Sequence, residues 1–259
     1  MKKIIYILLL SSSNICFSQK DSIKYKWGIG LQLNTIDKIF PFENPDAELD
    51  FYDSHGAWKN LSYSLGIVGK HNVNERFSLR LKSGVIQVNQ QQHRDVRDES
   101  IGAPCGSCFL GDLTIKQRRY YISPEVIGTV SKGNLGIYGG TGILYTKYKE
   151  FLQEGYGIYY TDETFSTIQY DNESKVVIPG GFSVGLSAFF GVSFHLLKHF
   201  SIGAEISDSY VYRKLGGNVE LTVSQSIPSN YTATSYYLFS ESGFTHSKGI
   251  VSFTTIYLF

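Results

Sequence analysis

The sequence predicts an all-β fold, an eight-stranded antiparallel up-and-down transmembrane β-barrel with short turns at one end and long loops at the other. Three observations carry this reading. Apolar and polar residues alternate with period two in segment after segment, which is the pattern of a strand with two unlike faces. The connections between those segments alternate between short and long. The composition, with 19 Tyr, 17 Phe and 26 Gly against 1 Met and 6 Pro, suits strands better than helices.

The first residues read as an address rather than as structure. Lys2 and Lys3 form a positive start, residues 4–10 a short apolar core, and Cys16-Phe17-Ser18 a cleavage site with small residues at its −3 and −1 positions. Residues 1–18 are therefore expected to be a signal peptide and residues 19–259 the barrel. The apolar core is shorter than the roughly 18 residues of a spanning helix. A lipid-modified Cys16 would need a small residue before it, where Ile15 stands. Beyond this segment no apolar run reaches the length of a membrane helix, so any membrane crossing must use strands. The net charge of +1 and the mixing of acid with base leave no basic stripe for nucleic acid.

The strands are expected at residues 25–35, 58–70, 77–88, 115–130, 135–151, 176–194, 200–212 and 247–259. In the first, Trp27, Ile29, Leu31 and Leu33 oppose Lys26, Gly28, Gly30, Gln32 and Asn34. In the second, Leu61, Tyr63, Leu65 and Ile67 oppose Ser62, Ser64 and Gly66; in the third, Phe77, Leu79, Leu81 and Val85 oppose Ser78, Arg80, Lys82 and Gly84. Short turns fall at 71–74, 131–134 and 196–199, and long polar stretches at 36–57, 89–114, 152–175 and 213–246. Three short and four long connections fit an even-numbered barrel with both ends on one side. The last long stretch keeps alternation at Val219, Leu221 and Val223 and is rich in Tyr and Thr over 231–239. It reads as a hairpin projecting beyond the membrane, with ten strands as the alternative.

The final segment puts Val251, Phe253, Thr255, Tyr257 and Phe259 on one face. Here the sequence resembles the outer-membrane β-barrel proteins, a resemblance that implies recognition of Tyr257 and Phe259 by the barrel assembly machinery. Residues 120–127, Tyr-Tyr-Ile-Ser-Pro-Glu-Val-Ile, followed by 135–142, Leu-Gly-Ile-Tyr-Gly-Gly-Thr-Gly, resemble the strand-turn-strand core of the small OmpX-like and PorT-like families. Ile122 and Glu125 depart from that pattern. Pro124 has no N–H to give to a closed sheet and is expected in a bulge.

Aromatic girdles are expected where hydrocarbon meets headgroup. Trp27, Phe77, Tyr120, Tyr138 and Phe200 would lie toward the short turns, and Trp58, Tyr145, Tyr148, Tyr210 and Tyr212 toward the long loops. Arg80, Lys82, Glu125 and Glu205 fall on lumen positions and are expected to pair across strands, because a charge in a narrow barrel must be neutralised. Packing suits them better than ion selection, since eight strands enclose space that side chains fill. Cys105 and Cys108, in an exported chain, are expected to form a disulfide. Zinc would need four ligands.

The histidines His55, His71, His93, His195, His199 and His246 lie in or beside connections, and no serine stands out as their nucleophile. The expectation is a non-enzymatic outer-membrane protein without a cofactor, acting through its extracellular loops in a structural, surface-binding or secretion-accessory role. Its partners would be outer-membrane lipid and lipopolysaccharide, the assembly machinery, and an extracellular ligand or secretion component. A lipid A deacylase or acyltransferase, or a small-solute pore, is the alternative.

Overall fold

Successive side chains of a strand point to opposite faces, so a strand with unlike neighbours must sit between unlike surroundings. The computed structural model describes residues 25–35, 58–96, 108–160 and 168–259, and in these the alternation becomes one antiparallel sheet of ten strands. They are β1 (Trp27–Asn34), β2 (Trp58–Asn60), β3 (Tyr63–Asn72), β4 (Phe77–Val96), β5 (Cys108–Lys132), β6 (Leu135–Tyr160), β7 (Ile168–Ile178), β8 (Gly181–Leu197), β9 (Phe200–Gln225) and β10 (Tyr231–Leu258). The expected signal segment 1–18 and Cys105 lie outside the described residues, as do the side chains of Cys108 and Trp58.

The sheet closes on itself. β10 pairs with β1 from Gly28 opposite Leu258 to Asn34 opposite Ser252, and neighbours then follow through β3, β4, β5, β6, β8 and β9 back to β10. That is a ring of eight. The other two strands continue ring members after an interruption. β2 extends β3 across Leu61–Ser62 and pairs with β4. β7 extends β8 across Pro179–Gly180 and pairs with β6 and β9. Eight and ten thus describe the same wall at different heights.

Three tight turns share one end. The first is held by the Asn74 carboxamide oxygen, which accepts from the amides of Arg76 at 2.9 Å and Phe77 at 2.8 Å. The second turns at Gly133–Asn134 and the third at Lys198–His199. At this end the first and last described segments meet, with Trp27 N donating to Phe259 O at 3.1 Å and Phe259 N to Trp27 O at 2.9 Å.

Where they are described, the long stretches expected as loops are mostly strand; the stretch 36–57 lies outside the described residues. β4 with β5, β6 with β7 and β9 with β10 run on as hairpins far past the ring's apolar band, their ladders continuing through residues 89–96, 108–114, 152–160, 168–175 and 213–246. Only the last of these projections is legible as such in the sequence. Pro124 also departs from expectation. The ladder to β6 leaves out Ser123 and Pro124 and resumes at Glu125 opposite Gly142 in unchanged register, so a local gap accommodates the missing N–H without a bulge.

The interior is tightly fitted around Tyr121. Its ring reaches across to β3 and β4, and the Asn34 carboxamide nitrogen donates to its hydroxyl at 3.1 Å and to Ser64 Oγ at 2.9 Å. Gly66 and Gly84 leave the room. A Cβ on Gly84 would collide with the Leu65 carbonyl oxygen and stand 2.6 Å from the Tyr121 hydroxyl. Because the carbonyl belongs to the ladder, it cannot yield. Gly84→Ala is expected to lower unfolding stability by about 1–3 kcal/mol, the usual range for overpacking, in a urea titration of the folded protein in vesicles.

A seam crosses three neighbouring strands just above the band. β6 carries an irregularity at Lys149–Glu150, the β7–β8 break lies beside it at Pro179–Gly180, and β9 answers with Gly216 and Gly217 at φ 108° and 151°. At Gly216 a side chain would meet both a positive φ and the Phe239 carbonyl. Below the seam the inward residues of β6 include Thr146 and Tyr148; above it they are Phe151 and Gln153, so the inward parity has changed. Above the seam Leu113, Ile115, Phe151, Val176, Ile178, Leu215 and Val219 pack into a buried apolar cluster. The wall is therefore polar inside at ring level, whereas its extension holds an apolar cluster beside the buried Gln90, Gln92, Gln117 and Gln153.

Candidate functional site: a filled lumen

At ring level the distribution is inside-out. Ser64, Ser78, Ser123, Ser183, Ser201, Ser209 and Ser252 are buried, while Leu31, Ile67, Leu81, Val126, Leu186 and Phe253 are exposed on the outer face. Each exposed strand segment, such as residues 120–130 of β5 or 135–145 of β6, is about as long as the 9–11 residues with which a tilted strand spans hydrocarbon.

The four charged positions read from the sequence meet at the centre. Arg80 Nε lies 2.5 Å from Glu125 Oε2 and Arg80 Nη2 lies 2.7 Å from Glu205 Oε2. Lys82 Nζ lies 2.6 Å from Glu205 Oε1 and 3.1 Å from Glu125 Oε1. Two cations and two anions thus form a closed cycle in which each charge touches both opposite charges. The 2.7 Å approach of Arg80 Nη2 to Glu205 closes the cycle as an ion pair. Register explains the meeting on one side: Arg80 is directly opposite Glu125 in the β4–β5 ladder. Glu205 comes from β9 across the lumen.

Aromatic faces complete the plug. The Arg80 guanidinium lies 4.4 Å from the Phe189 ring centroid and 5.8 Å from that of Tyr138, and Lys82 Nζ lies 5.1 Å from Phe189. Ser123 Oγ donates to Glu125 Oε1 at 3.2 Å. This layer divides the lumen. Above it lies a cavity of about 180 Å³ lined by Gln32, Asn34, Tyr121, Ser183, Ser187 and Arg213 among others. Below it lie a space of about 60 Å³ beside Arg80 and Tyr138, and one of about 410 Å³ among the turns around Lys70, Asn72 and His195. A second buried cation, Arg213, pairs with Glu241 beside the upper cavity.

The girdle expectation needs correction at three positions. Tyr138 and Tyr148 point inward, the first buried against Arg80 and the second toward Ser183 Oγ at 3.3 Å, because both share the parity of the lumen residues Gly142 and Thr146. Tyr120 is exposed but lies toward the projecting end, opposite Val85 and Lys147, far along β5 from the turn at Gly133. Trp27, Phe77, Tyr145 and Tyr210 are exposed on the outer face, and Tyr257 and Phe259 are exposed at the turn end.

Three of the histidines have polar partners. His199 lies against Leu258 O at 2.9 Å and the Tyr25 hydroxyl at 3.3 Å, with its ring stacked on Tyr257, at the closure of the ring. His93 pairs with Asp112 at 2.8 Å and His246 with Asp208 at 2.9 Å on the outer face. Among the described residues neither of these two imidazoles has a serine or cysteine bonded to it.

Asp171 marks the tip of the extension. Its carboxylate accepts from Ser226 N at 2.7 Å, from Ile227 N at 2.8 Å and from the Ser226 hydroxyl, tying β7 to the turn after β9. The Ser226 hydroxyl, then the two amides, hold this carboxyl below the usual carboxylate range. A depressed folded-state value means that the clamp contributes fully above the unfolded pKa and is lost as pH falls through the folded one. Amide NMR shifts of Ser226 and Ile227 are expected to stay constant from neutral pH to below the ordinary Asp midpoint and only then move. In Asp171→Asn that titration should vanish.

No family model matches the chain, and no curated protein matches it. Among solved structures the chain is similar to a major outer membrane protein of Thermus thermophilus, at 13% identity over 91% of this chain and 100% of that one, with a TM-score of 0.34. It is similar to CarO of Acinetobacter baumannii, at 12% identity over 93% and 100%, with a TM-score of 0.35. It also overlaps 32% of the ferric yersiniabactin uptake receptor FyuA of Yersinia pestis, over 86% of this chain, at 10% identity and a TM-score of 0.33.

Proposed function

We propose that the chain is an integral outer-membrane β-barrel of eight strands, its lumen filled by an ion-pair plug, with an extracellular β extension that serves as its interaction surface. One observation carries the reading: apolar side chains cover the outside of the ring while serines, Gln32 and four full charges occupy its inside. In water this arrangement is unfavourable twice over. Monomeric soluble proteins rarely expose contiguous apolar patches beyond a few hundred Å², whereas here every ring strand contributes to one continuous band. At about 25 cal/mol per Å², returning that band to an apolar medium is a large driving force. Ring closure satisfies the backbone inside the bilayer.

On this reading the tight turns face the periplasm, and Tyr257 and Phe259 serve as the signal read during assembly. The OmpX-like and PorT-like subgroup remains part of the same proposal. A structural or binding role fits better than transport, because the four-charge layer separates the upper cavity from the lower ones.

The test is cell fractionation together with heat-modifiable gel migration. Recovery in the outer membrane, with faster migration of the unheated than of the boiled protein, is expected. Behaviour as a soluble protein without detergent would refute the proposal. Conductance in planar bilayers and incubation with labelled lipopolysaccharide address the remaining roles: stable openings would argue for a pore, and released or transferred acyl chains for an enzyme.

A further inference from the structure

We infer that one arc of the outer wall, at the upper edge of the apolar band on β5, β6 and β9, is a docking site for the phosphate groups of outer-leaflet lipid; the inference rests on the membrane-spanning reading above. The arc is built by register. Tyr120 on β5 stands opposite Lys147 on β6, Lys147 opposite Phe182 on β8, and Phe182 opposite Lys214 on β9. One residue row therefore carries two lysines separated by a single strand, about 10 Å apart at the usual spacing. Arg118 lies two residues above Tyr120, a diagonal neighbour of Lys147 at roughly 7–8 Å. Lys149 follows on β6. All four cations are exposed.

Their level is what distinguishes them from an ordinary solvated face. The next row toward the turns is Ile122, Tyr145, Val184 and Tyr212, the top of the apolar band, so the cations begin about two residues, or roughly 7 Å of strand, above it. Long cationic side chains there can lay their stems on apolar surface and hold their heads among headgroups. Phe182 and Tyr145 stack at 6.5 Å between the lysines and supply an apolar contact for the lipid beneath its phosphate.

The arc is also one-sided and unneutralised. In the same row β4, β3 and β10 carry Val85, Leu65 and Ser242, and beside Arg118 stand Gln87 and Tyr63, all uncharged. Among the described residues Lys147, Lys149 and Lys214 have no carboxylate in ion-pair reach, and Arg118 donates to the Gln87 carboxamide at 2.9 Å. Lys116 is held apart by Glu154 at 3.1 Å. Glu150 is the one acid beside Lys149 in sequence. The net charge of the whole chain is only +1, so this concentration of cations does not come from a generally basic protein. Phosphate groups, fixed by the bilayer at this height, are the complementary partner.

The experiment uses the folded full chain in neutral detergent micelles, with native mass spectrometry of bound lipid. Diphosphorylated lipid A and its dephosphorylated form are offered in equal amounts. Retention of the phosphorylated form is expected to exceed the other by roughly ten- to a hundred-fold, from several cations each acting at a charged surface. The variant R118Q/K147Q/K149Q/K214Q should lose that preference, and K147R/K149R/K214R should keep it. A control, K26Q/K132Q/K198Q at the turn end, should also keep it. Millimolar inorganic phosphate should not abolish it, since the lipid is committed by its acyl chains as well.

Equal retention of the two lipids by the wild type, or loss of preference in the turn-end control, would overturn the inference. A preference that survives in the four-fold Gln variant would do the same. Heat-modifiable migration of each variant separates the two levels: if it is retained while the preference is absent, the arc fails and the barrel stands; if the wild type lacks it, the membrane reading itself fails.

Discussion

Glu205→Leu is expected to destabilise the folded barrel by about 3–5 kcal/mol, the range observed when one partner of a buried ion pair is removed. Glu205 is 1% exposed and lies within 2.7 Å of both Arg80 and Lys82. Without it, two cations face one carboxylate, Glu125, in a layer closed by Phe189 and Tyr138. Neither cation can reach bulk water without displacing that layer. The loss therefore reflects a stranded charge more than the value of the bond. Urea unfolding in vesicles, followed by gel migration, measures it.

The four-fold variant Arg80→Met, Lys82→Met, Glu125→Leu, Glu205→Leu separates the two meanings. With all four charges replaced by apolar groups of similar volume, the cost should fall well below that of the single change, because desolvation of four ions is avoided. If the single variant were as stable as the wild type, the layer would have to be wet, and the divided lumen would have to be abandoned. Conductance is a second readout. Glu205→Ala, which also opens space, would be the variant to admit ions if the plug is what blocks them.

How much of this can be read before the structure depends on what period two can carry. It assigns faces, so Arg80, Lys82, Glu125 and Glu205 can be grouped without knowing which strands meet; the structure adds that Glu205 reaches them from the opposite wall. The same parity continues along β9 to Arg213, and it could have flagged that residue as a lumen cation with Glu241 as its partner. Period two fails where the phase changes. Tyr148 and Phe151 both face inward although they lie an odd three positions apart, because Lys149 and Glu150 make an irregularity that no local composition announces. It also fails to separate loop from strand when the outer face turns polar. Residues 152–160 and 168–175 lose their apolar alternation on leaving the band and so read as loop, yet their ladder continues past it. Tyr120 falls at the wrong end for a related reason: β5 is 25 residues long, and in sequence its middle looks like its start.

Phe190→Arg and Leu238→Arg give the sharpest contrast between the two levels of the wall. Both side chains are largely exposed, 60% and 77% respectively, and both stand on outer faces of long strands. In a soluble protein the two substitutions would be near-equivalent and mild. Phe190 lies at mid-height of the β8 band, between Ala188 and Val192 and beside Gly139 and Ile206. Leu238 lies on β10 opposite Asn218, beyond the seam. In hydrocarbon an arginine at mid-depth costs about 2–4 kcal/mol, whereas one in the projecting sheet meets water. Phe190→Arg is therefore expected to shift the urea midpoint strongly downward in vesicles and to slow insertion, while Leu238→Arg changes stability by less than about 0.5 kcal/mol. Equal effects would mean that the exposed face of β8 does not contact lipid. A larger effect at Leu238 would reverse the assignment of band and extension.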